Sequence, residues 1–334
     1  MMNQIKYLLG FFSLIFLCGC SNQQHQETYR QWVEKNGKIK VLSTTAMIND
    51  LVKQIGGDYV DSMTLIKGDL DPHSYQLVKG DDEKLSYADV IFYNGLGLEH
   101  GPSLHHYLTQ NSKAISLGDR INKENPGLIL YVNGQLDPHI WMDVSIWLKN
   151  IPTIVKTLSD LDPERSSYYA MNGNELEEAM IHTHQQIHEI MHQIPSEKRF
   201  LVTSHDAFNY FARAYLADEN ELENDQWTKR FAAPEGLAPE SQLSAVDIRY
   251  IIDHLHQYQI HLIFPESNVS KDSIKKIIQA GNEKGLNIQI ACCPLYGDAM
   301  GPPGSDGDTY LKMILHNANT LATHLNHVGQ QHAS

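Results

Sequence analysis

A helical pattern without strong breakers, in the middle of the chain, limits what these 334 residues can fold into. From 163 to 194 the only glycine is Gly173, Pro163 stands at the start, and Pro195 falls just past the end, as expected of a helix flanked by prolines. Apolar residues recur there at helical spacing: Leu176, Met180, Ile187, Met191 and Ile194. We predict one long helix. Because a flexible linker would be richer in Gly, Ser or Pro, we expect it to hold its two flanking regions in a nearly fixed relation.

Short apolar runs alternate with amphipathic stretches on both sides of this helix. Before it, the predicted strands are 39–42, 59–66, 90–93 and 114–117, and the predicted helices are 47–55 and 79–87. After it, the predicted strands are 199–203, 261–264 and 288–291, and the predicted helices are 248–257 and 274–280. Such alternation is typical of parallel sheets covered on both faces. We predict an α/β protein of two doubly wound lobes, 38–162 and 195–334, each with a mainly parallel sheet, joined by the helix 163–194.

The N-terminal segment has the features of an export signal. Lys6 precedes an apolar run at 7–17 that is too short to span a bilayer,. Leu17-Cys18-Gly19-Cys20 is similar to a lipobox, which predicts a signal peptide at 1–19 and a lipid anchor at Cys20. A plain secretory signal is the alternative, because Cys18 is unusual in a lipobox. The polar residues 20–37 are predicted to tether the folded part to a membrane, so the protein would lie outside the cytoplasm, in the periplasm.

Charge and cysteine content narrow the possible partners. The formal net charge of −14 disfavours nucleic acid as a partner and mildly favours cations. Beyond the signal only Cys292 and Cys293 remain. Neighbouring cysteines bond only through a strained ring, so we expect two thiols or small buried residues. A metal site using both is disfavoured, because adjacent strand residues point to opposite faces.

Four side chains are candidate metal ligands. His73 and His139 each end an Asp-Pro-His triplet, His205 follows a predicted strand directly, and Asp298 comes shortly after another. All four are expected just past the carboxyl ends of strands, where open α/β sheets gather ligands. Two come from each lobe, which places the predicted site in the cleft between lobes. Three imidazoles and a carboxylate suit Zn²⁺, Fe²⁺ or Mn²⁺, whereas Mg²⁺ and Ca²⁺ prefer oxygen ligands alone.

Six motifs, taken together and in order, resemble a known family: the solute-binding lipoproteins of ABC importers for manganese, zinc and iron, which have a rigid helix between lobes. The motifs are Asp71-Pro72-His73, Asn94-Gly95-Leu96-Gly97-Leu98-Glu99, Asp137-Pro138-His139-Ile140-Trp141-Met142-Asp143, Ser204-His205-Asp206-Ala207-Phe208-Asn209-Tyr210-Phe211, Pro265-Glu266-Ser267-Asn268 and Leu295-Tyr296-Gly297-Asp298. The resemblance covers nearly everything after the tether. It implies that His73, His139, His205 and Asp298 are the metal ligands.

The sequence departs from this family's pattern in two respects. Residues 217–230 insert an acidic stretch, which we interpret as a solvated surface loop, with a partner-binding element as the alternative. The long histidine-rich loop of zinc-specific relatives is missing, which disfavours a dedicated zinc scavenger.

Other polar side chains are candidates for supporting roles. Four acidic residues could hold an imidazole N–H or cap a helix: Glu99, Asp143, Asp206 and Glu266. The predicted long helix also carries His182, His184, His188 and His192. Three of these histidines are four residues apart, a spacing that can bind a metal, but a solvated face is the simpler interpretation. His105 and His106 are predicted to be surface residues.

The predicted function is capture and delivery rather than catalysis. Catalytic zinc sites keep a coordination position open for water, whereas four protein ligands enclose the ion. We therefore predict a non-enzymatic, monomeric binding protein that hands a divalent metal cation to an ABC permease served by a separate ATPase subunit. Resemblance to the chlamydial member of the family favours iron, followed by manganese and zinc. The alternatives are a secreted zinc hydrolase, with Asp298 or Glu266 as base, and an adhesin in which the metal is structural.

Overall fold

The N-terminal half contains one parallel sheet. The computed structural model describes residues 32–239 and 243–327. Its first elements are β1 (Ile39–Ser43), α1 (Ala46–Gly56), β2 (Val60–Thr64), α2 (Asp81–Tyr87), β3 (Val90–Tyr93), α3 (Pro102–Gln110), β4 (Ala114–Ser116) and α4 (Leu117–Glu124). The four strands are parallel in the order β2-β1-β3-β4. This order reverses direction between β1 and β3, the kind of switch point at which ligands collect in open sheets.

Helices cover both faces of this sheet. Val41 and Phe92 are buried in one core cluster with the apolar face of α1. Their chain neighbours Leu42 and Ile91 are buried in another cluster with Leu85 of α2 and with α3. Successive strand residues point to opposite faces, so the predicted doubly wound arrangement is confirmed for this half.

Two predicted strand ends differ from the structure for local reasons. The strand predicted at 114–117 stops at Ser116, because the Ser116 hydroxyl accepts the backbone N–H of Asp119 and caps α4,. The strand predicted at 59–66 begins one residue later, since Tyr59 belongs to the 3-10 turn Gly57–Tyr59, and it ends at Thr64.

The remaining elements lead from a hairpin to the C-terminal helix. They are β5 (Tyr131–Val132), β6 (Gln135–Leu136), α5 (Val144–Trp147), α6 (Ile151–Leu161), α7 (Ser166–His192), β7 (Leu201–Val202), α8 (Asn209–Phe211), α9 (Glu219–Leu222), β8 (Phe231–Ala232), α10 (Ala245–Gln257), β9 (Leu262–Ile263), α11 (Asp272–Glu283), β10 (Gln289–Ile290) and α12 (Tyr310–His327). The hairpin, β8 and seven helices (α3, α4, α5, α6, α8, α9 and α12) were not predicted.

The strands of the C-terminal half are shorter than the sequence predicted. The pairs β7-β8 and β9-β10 are both parallel, and the backbone N–H of Phe264 donates to the carbonyl of Val202 at 2.8 Å, which joins the pairs side by side. Val202 is buried with apolar residues of α10 and α11, whereas Leu201 and Phe264 are buried in the core shared with the N-terminal half. This sheet is therefore also covered on both faces, although each strand has only two residues.

The long helix is confirmed at the centre of the molecule. A 3-10 turn at Pro163–Arg165 leads into α7, and all five apolar residues of the predicted stripe are buried in one core cluster that includes both halves. Gly173 allows α6 to approach closely, since a Cβ there would lie 2.6 Å from Cγ2 of Val155. A helix packed into a shared core cannot act as a loose linker. The boundaries of the two lobes stay a prediction.

The prediction that 217–230 is a solvated surface loop holds only in part. Asp218 and Glu221 form a capping box that starts α9, and Glu221 and Arg230 are buried. The two nitrogens Nε and Nη2 of Arg230 lie 2.8 Å from the two oxygens of Glu221. Only part of the acidic stretch faces solvent, because paired charges inside it anchor the segment. Spacing in the sequence did not reveal that pairing.

The histidines outside the candidate site agree in part with the sequence analysis. His105 and His106 are exposed, as predicted. On α7, three histidines are exposed, as expected of a solvated face: His182, His188 and His192. His184 is the exception, because its Nδ1 lies 2.8 Å from the hydroxyl of Tyr215.

The cysteine pair is exposed and unbonded. Cys292 and Cys293 are free thiols, which agrees with the expectation of two thiols. They are exposed, so the alternative expectation of small buried residues was wrong. Their sulfurs lie 3.2 Å apart on the same side of the chain. The expectation that the two side chains point to opposite faces was wrong, because both residues follow the end of β10.

No helix within residues 32–239 and 243–327 has the length and apolar character needed to cross a membrane. The predicted signal peptide at 1–19, the acylated Cys20 and most of the tether at 20–37 lie outside the described residues.

Candidate metal centre

The four predicted ligands converge on one point. His73 and His139 face each other with their Nε2 atoms 3.3 Å apart. Oδ2 of Asp298 lies 3.1 Å from Nε2 of His205 and 3.6 Å from that of His73, and Oδ1 lies 3.4 Å from Nε2 of His139. One ligand atom from each residue lies within 4.8 Å of all the others. Residues from both halves of the chain therefore form a single four-ligand cluster.

The cluster contains buried polar atoms that lack well-formed hydrogen bonds. All four side chains are buried. Nε2 of His205 and both carboxylate oxygens of Asp298 have no hydrogen bond of good geometry, although they lie close to one another. Leaving a buried polar group unsatisfied costs about 1–3 kcal/mol, and native proteins rarely do so without an ion, a water or a function. A cation among these atoms accounts for all of them.

The two Asp-Pro-His triplets fold in the same local way. In the first, a carboxylate oxygen of Asp71 accepts the backbone N–H of His73 at 2.9 Å. In the second, Asp137 accepts the backbone N–H of His139 at 3.0 Å. Each is an aspartate turn closed two residues on, a conformation that this short side chain favours. The turn fixes where each histidine leaves the backbone.

The second triplet differs from the first in how its imidazole is held. Oδ1 of Asp137 also accepts the Nδ1–H of His139 at 2.7 Å, which leaves Nε2 free to bind a metal. Its other oxygen accepts from Asn209 at 3.0 Å. Asp137 is a supporting residue that we did not predict, and its position two residues before His139 was the available signal.

The location of His139 corrects one expectation. His73 follows β2, and His205 follows β7, as predicted. His139, however, follows the antiparallel hairpin β5-β6 rather than a strand of the parallel sheet. Asn133 and Gly134, with φ of 51° and 80°, form the two-residue turn that such hairpins favour.

Glu266 organises the C-terminal part of the centre. Its Oε1 accepts the backbone N–H groups of Ser204 at 3.0 Å and His205 at 2.9 Å. Its Oε2 contacts Nδ1 of His205 at 2.6 Å. Glu266 was among the acidic residues that we predicted to hold an imidazole, and the structure confirms it.

The other three predicted acidic supports do not touch an imidazole of the centre. Glu99 accepts the backbone N–H groups of Asn94 and Gly95 and the hydroxyl of Thr44, so it closes the loop after β3. Asp143 caps α5. Asp206 accepts from Asn209; burial and the nearby Asp137 raise the pKa of Asp206 to about 6.

The loop that carries Asp298 is attached to the N-terminal half. Nε1–H of Trp141 donates to the carbonyl of Gly297 at 3.0 Å. The hydroxyl of Tyr310 donates to the carbonyl of Trp141 at 2.8 Å. A side chain at Gly297 would collide with Glu266. Contacts from several elements therefore fix the position of the carboxylate.

The charged forms of His205 and Asp298 stabilise each other. Burial disfavours a charged His205, but the carboxylates of Glu266 and Asp298 outweigh burial and raise the pKa of this imidazole. Burial would also raise the pKa of Asp298, yet His205, with His73 and His139, holds it well below its ordinary value. Metal ligation requires deprotonated ligands, so metal binding competes with protons. The carboxylate is already in the form that binds a cation.

One ligand opens onto a cavity. His73 lines a cavity of about 710 Å³ together with His100, Leu96, Tyr131 and Leu237. His100 is exposed, and its ring centre lies 5.6 Å from that of His73. His100 was not among the predicted site residues, and its only signal in the sequence was its place directly after the Asn94–Glu99 motif.

Glu266 supplies a test of the supporting contacts. We expect Glu266→Gln to weaken Zn²⁺ binding by about 10–100-fold, the usual cost of losing a partner of a metal ligand, because the amide cannot balance a positive charge near His205. Glu99→Gln is the matched control, since Glu99 is also buried and holds backbone N–H groups but touches no imidazole. Competition with a chelator of known affinity measures both. Equal losses in the two variants would contradict a specific role for Glu266.

Comparison with known proteins agrees with this site. The family model described as ZnuA, zinc-uptake complex component A, periplasmic, matches residues 41–324. The metal-binding protein YtgA of Chlamydia pneumoniae is 35% identical over 321 residues, or 96% of this chain and 94% of the relative. The manganese-binding lipoprotein MntA of Bacillus subtilis is 30% identical over 312 residues, or 93% and 95%. The crystal structure of Fe(III)-bound YtgA from Chlamydia trachomatis matches with a TM-score of 0.81 at 34% identity and covers 86% of this chain and 98% of that chain.

Fold, site and relatives together define the class: a metal-binding solute-binding protein of an ABC transporter. The chain belongs to the ZnuA family of periplasmic metal-uptake components. The resemblance stated from the sequence motifs is confirmed.

Proposed function

We propose that this protein captures one divalent transition metal ion at His73, His139, His205 and Asp298 and delivers it to an ABC permease. A separate ATPase subunit supplies the energy. The observation that carries the proposal is the convergence of four buried ligand atoms from both halves of the chain. The ion is the cargo of the protein rather than a resident cofactor.

The arrangement favours capture over catalysis. A hydrolytic metal site needs an open coordination position and a free base. Here the fourth ligand atom comes from Asp298, and Glu266 is already engaged through both oxygens, by two backbone N–H groups and by His205. These contacts support a binding protein without enzymatic activity over a secreted zinc hydrolase. Within residues 32–239 and 243–327, no feature favours the adhesin alternative.

We propose iron as the cargo, with manganese and zinc as competitors. Three imidazole nitrogens and one carboxylate oxygen suit all three metals. The relative YtgA has been crystallised with Fe(III), and MntA is named for manganese. Zn²⁺ should bind such a site more tightly than Fe²⁺ or Mn²⁺ by the Irving–Williams order, so affinity in vitro does not identify the cargo.

We also propose where the protein acts and with what. It is held at the outer face of the cytoplasmic membrane by a lipid on Cys20 and works as a monomer. Relatives named as lipoproteins support the anchor, and the net charge of −14 argues against nucleic acid as a partner. Labelling with a radioactive fatty acid should fail for Cys20→Ser if the anchor is real.

Metal analysis tests the proposed function. Protein purified without oxygen from its native envelope is expected to hold about one transition metal ion per chain, as expected of a single four-ligand site. His73→Ala and Asp298→Ala should be purified nearly metal-free. Wild-type protein without stoichiometric metal would contradict the proposal, and so would metal retained in both variants.

A further inference from the structure

An open cavity leads from the protein surface to the metal centre, and one of the four proposed ligands lines it. Of the four ligands, His73 is the one that lines this cavity of about 710 Å³. The side chains of His139, His205 and Asp298 are fully covered. An ion that arrives through this cavity therefore meets His73 before the other three.

A second imidazole lines the same cavity. His100 follows directly on the Asn94–Glu99 loop, whose backbone includes Leu96 at a φ of 55° and Gly97 at a φ of 84°. This unusual backbone is closed by Glu99, which accepts the N–H groups of Asn94 and Gly95. The position of His100 is thus set by a loop with fixed internal contacts, although its side chain is exposed.

The tautomer of His100 suits metal binding. Its Nδ1 lies 3.1 Å from the carbonyl oxygen of Gly97. A carbonyl oxygen can only accept, so Nδ1 carries the proton and Nε2 presents a lone pair. Histidines that bind metals use the same pattern, with one ring nitrogen donating to a carbonyl or carboxylate. His139 is held in this way by Asp137 within the centre itself.

The distance between the two rings permits a shared ion. The ring centres of His73 and His100 are 5.6 Å apart. An imidazole nitrogen binds a transition metal ion at about 2 Å, so one ion placed between the rings can contact both after small side-chain rotations. His100 lies outside the four-ligand cluster, so it is not a ligand of the final site.

We propose that His100 is a transfer ligand, which binds the incoming cation together with His73 and passes it to the enclosed site. The same contact operates in reverse when the ion leaves for the permease. This inference rests on the proposed function, since it concerns how the cargo of that site enters and leaves. The ion that His100 would bind is a divalent transition metal ion that has lost part of its hydration shell.

A transfer ligand changes rates without changing the equilibrium. His100 does not hold the ion in the final state, so its loss raises the barrier equally in both directions. We expect His100→Ala to slow association of Zn²⁺ about tenfold, the lower end of the effect of losing one partner at a metal site. Dissociation into excess chelator should slow by the same factor. The dissociation constant should stay within about twofold of wild type.

Stopped-flow fluorescence with Zn²⁺ alone measures these rates, because the Trp141 ring lies 5.3 Å from that of His139. His105→Ala is the matched control, an exposed histidine of α3 that does not line the cavity. His100→Asp keeps a metal-binding atom and should restore most of the rate. Unchanged rates in His100→Ala would overturn the proposal, as would faster dissociation with weaker affinity. Wild-type protein that binds no Zn²⁺ would instead contradict the proposed function.

Discussion

Replacing Asp298 by alanine is expected to weaken binding of Zn²⁺ and Mn²⁺ by at least about 100-fold, since even an outer partner of a metal ligand changes affinity by 10–100-fold. Asp298 is the only member of the cluster that carries a negative charge. Its oxygens lie within 3.1–3.6 Å of three imidazole nitrogens. Without it, three neutral histidines would have to hold a divalent cation in a buried site with no negative charge among its ligands.

Calorimetry and metal-dependent melting measure this loss. A ligand at 1,000 times its dissociation constant stabilises a folded protein by about 4.1 kcal/mol, and one at 10 times its dissociation constant by about 1.4 kcal/mol. At the same metal concentration, the metal-induced rise in Tm of Asp298→Ala should therefore be about a third of the wild-type rise or less. Asp306→Asn is the control, because Asp306 is an exposed carboxylate in the same loop. Retention of the metal-induced Tm rise in Asp298→Ala would show that Asp298 is not a ligand.

Replacing Arg230 by methionine is expected to lower the free energy of unfolding by about 3–5 kcal/mol, the cost of removing one partner of a buried ion pair. Arg230 is buried and binds Glu221 through two nitrogens, with a further contact to Asp218 at 3.0 Å. Its guanidinium also stacks over Phe200, 4.8 Å from the ring centre. The variant would leave the buried carboxylate of Glu221 without its main counter-charge.

The pH dependence of this effect has a definite sign. Burial would raise the pKa of Glu221, but hydrogen bonds from Arg230 and Lys229 outweigh it and lower the pKa to about 2. The folded-state pKa lies below the ordinary value of 4.5, so the pair stabilises the fold above that value and loses its effect as the pH falls toward 2. The Tm difference between Arg230→Met and wild type should therefore shrink between pH 7 and pH 3.

Lys229→Met provides the comparison for this second prediction. Lys229 also pairs with Glu221, at 2.7 Å, but its side chain is 34% exposed. A partly exposed pair of this kind contributes only about 0–1 kcal/mol. If urea titrations gave equal losses for Lys229→Met and Arg230→Met, the ion pair of Arg230 would not be the buried anchor that the structure indicates.

The clustering of the four candidate ligands could be predicted from the sequence because each of them lies in a short segment with a local signal. Asp71 and Asp137 fold their triplets through contacts two residues away. His205 directly follows a strand run. Such signals need no knowledge of the tertiary structure. The convergence of the four residues could be inferred only because the carboxyl ends of parallel strands meet at one edge of a sheet. His139 does not follow such a strand, since it lies after the hairpin β5-β6.

Features that depend on distant contacts were not predictable. Glu221 and Arg230 pair across a segment whose composition resembles a solvated loop. The orientation of the two cysteines was not predictable either, because their side chains lie on the same side of the chain only since β10 ends before them. His100 gave no signal of its own, since its role depends on a cavity formed by residues from several loops. In each case the deciding feature is a contact or a backbone course that exists only in the folded chain, and a local sequence pattern does not specify it.

The coordination sphere of the bound ion tests the central claim most directly. A crystal structure of the metal-loaded protein, with anomalous scattering recorded at the absorption edge of the metal, would locate the ion and its ligands. We predict one ion bound by Nε2 of His73, His139 and His205 and by the carboxylate of Asp298. We expect no metal-bound water next to a carboxylate that could act as a general base. An ion held by three histidines and a water, with Asp298 turned away, would contradict capture by enclosure and favour a hydrolytic site.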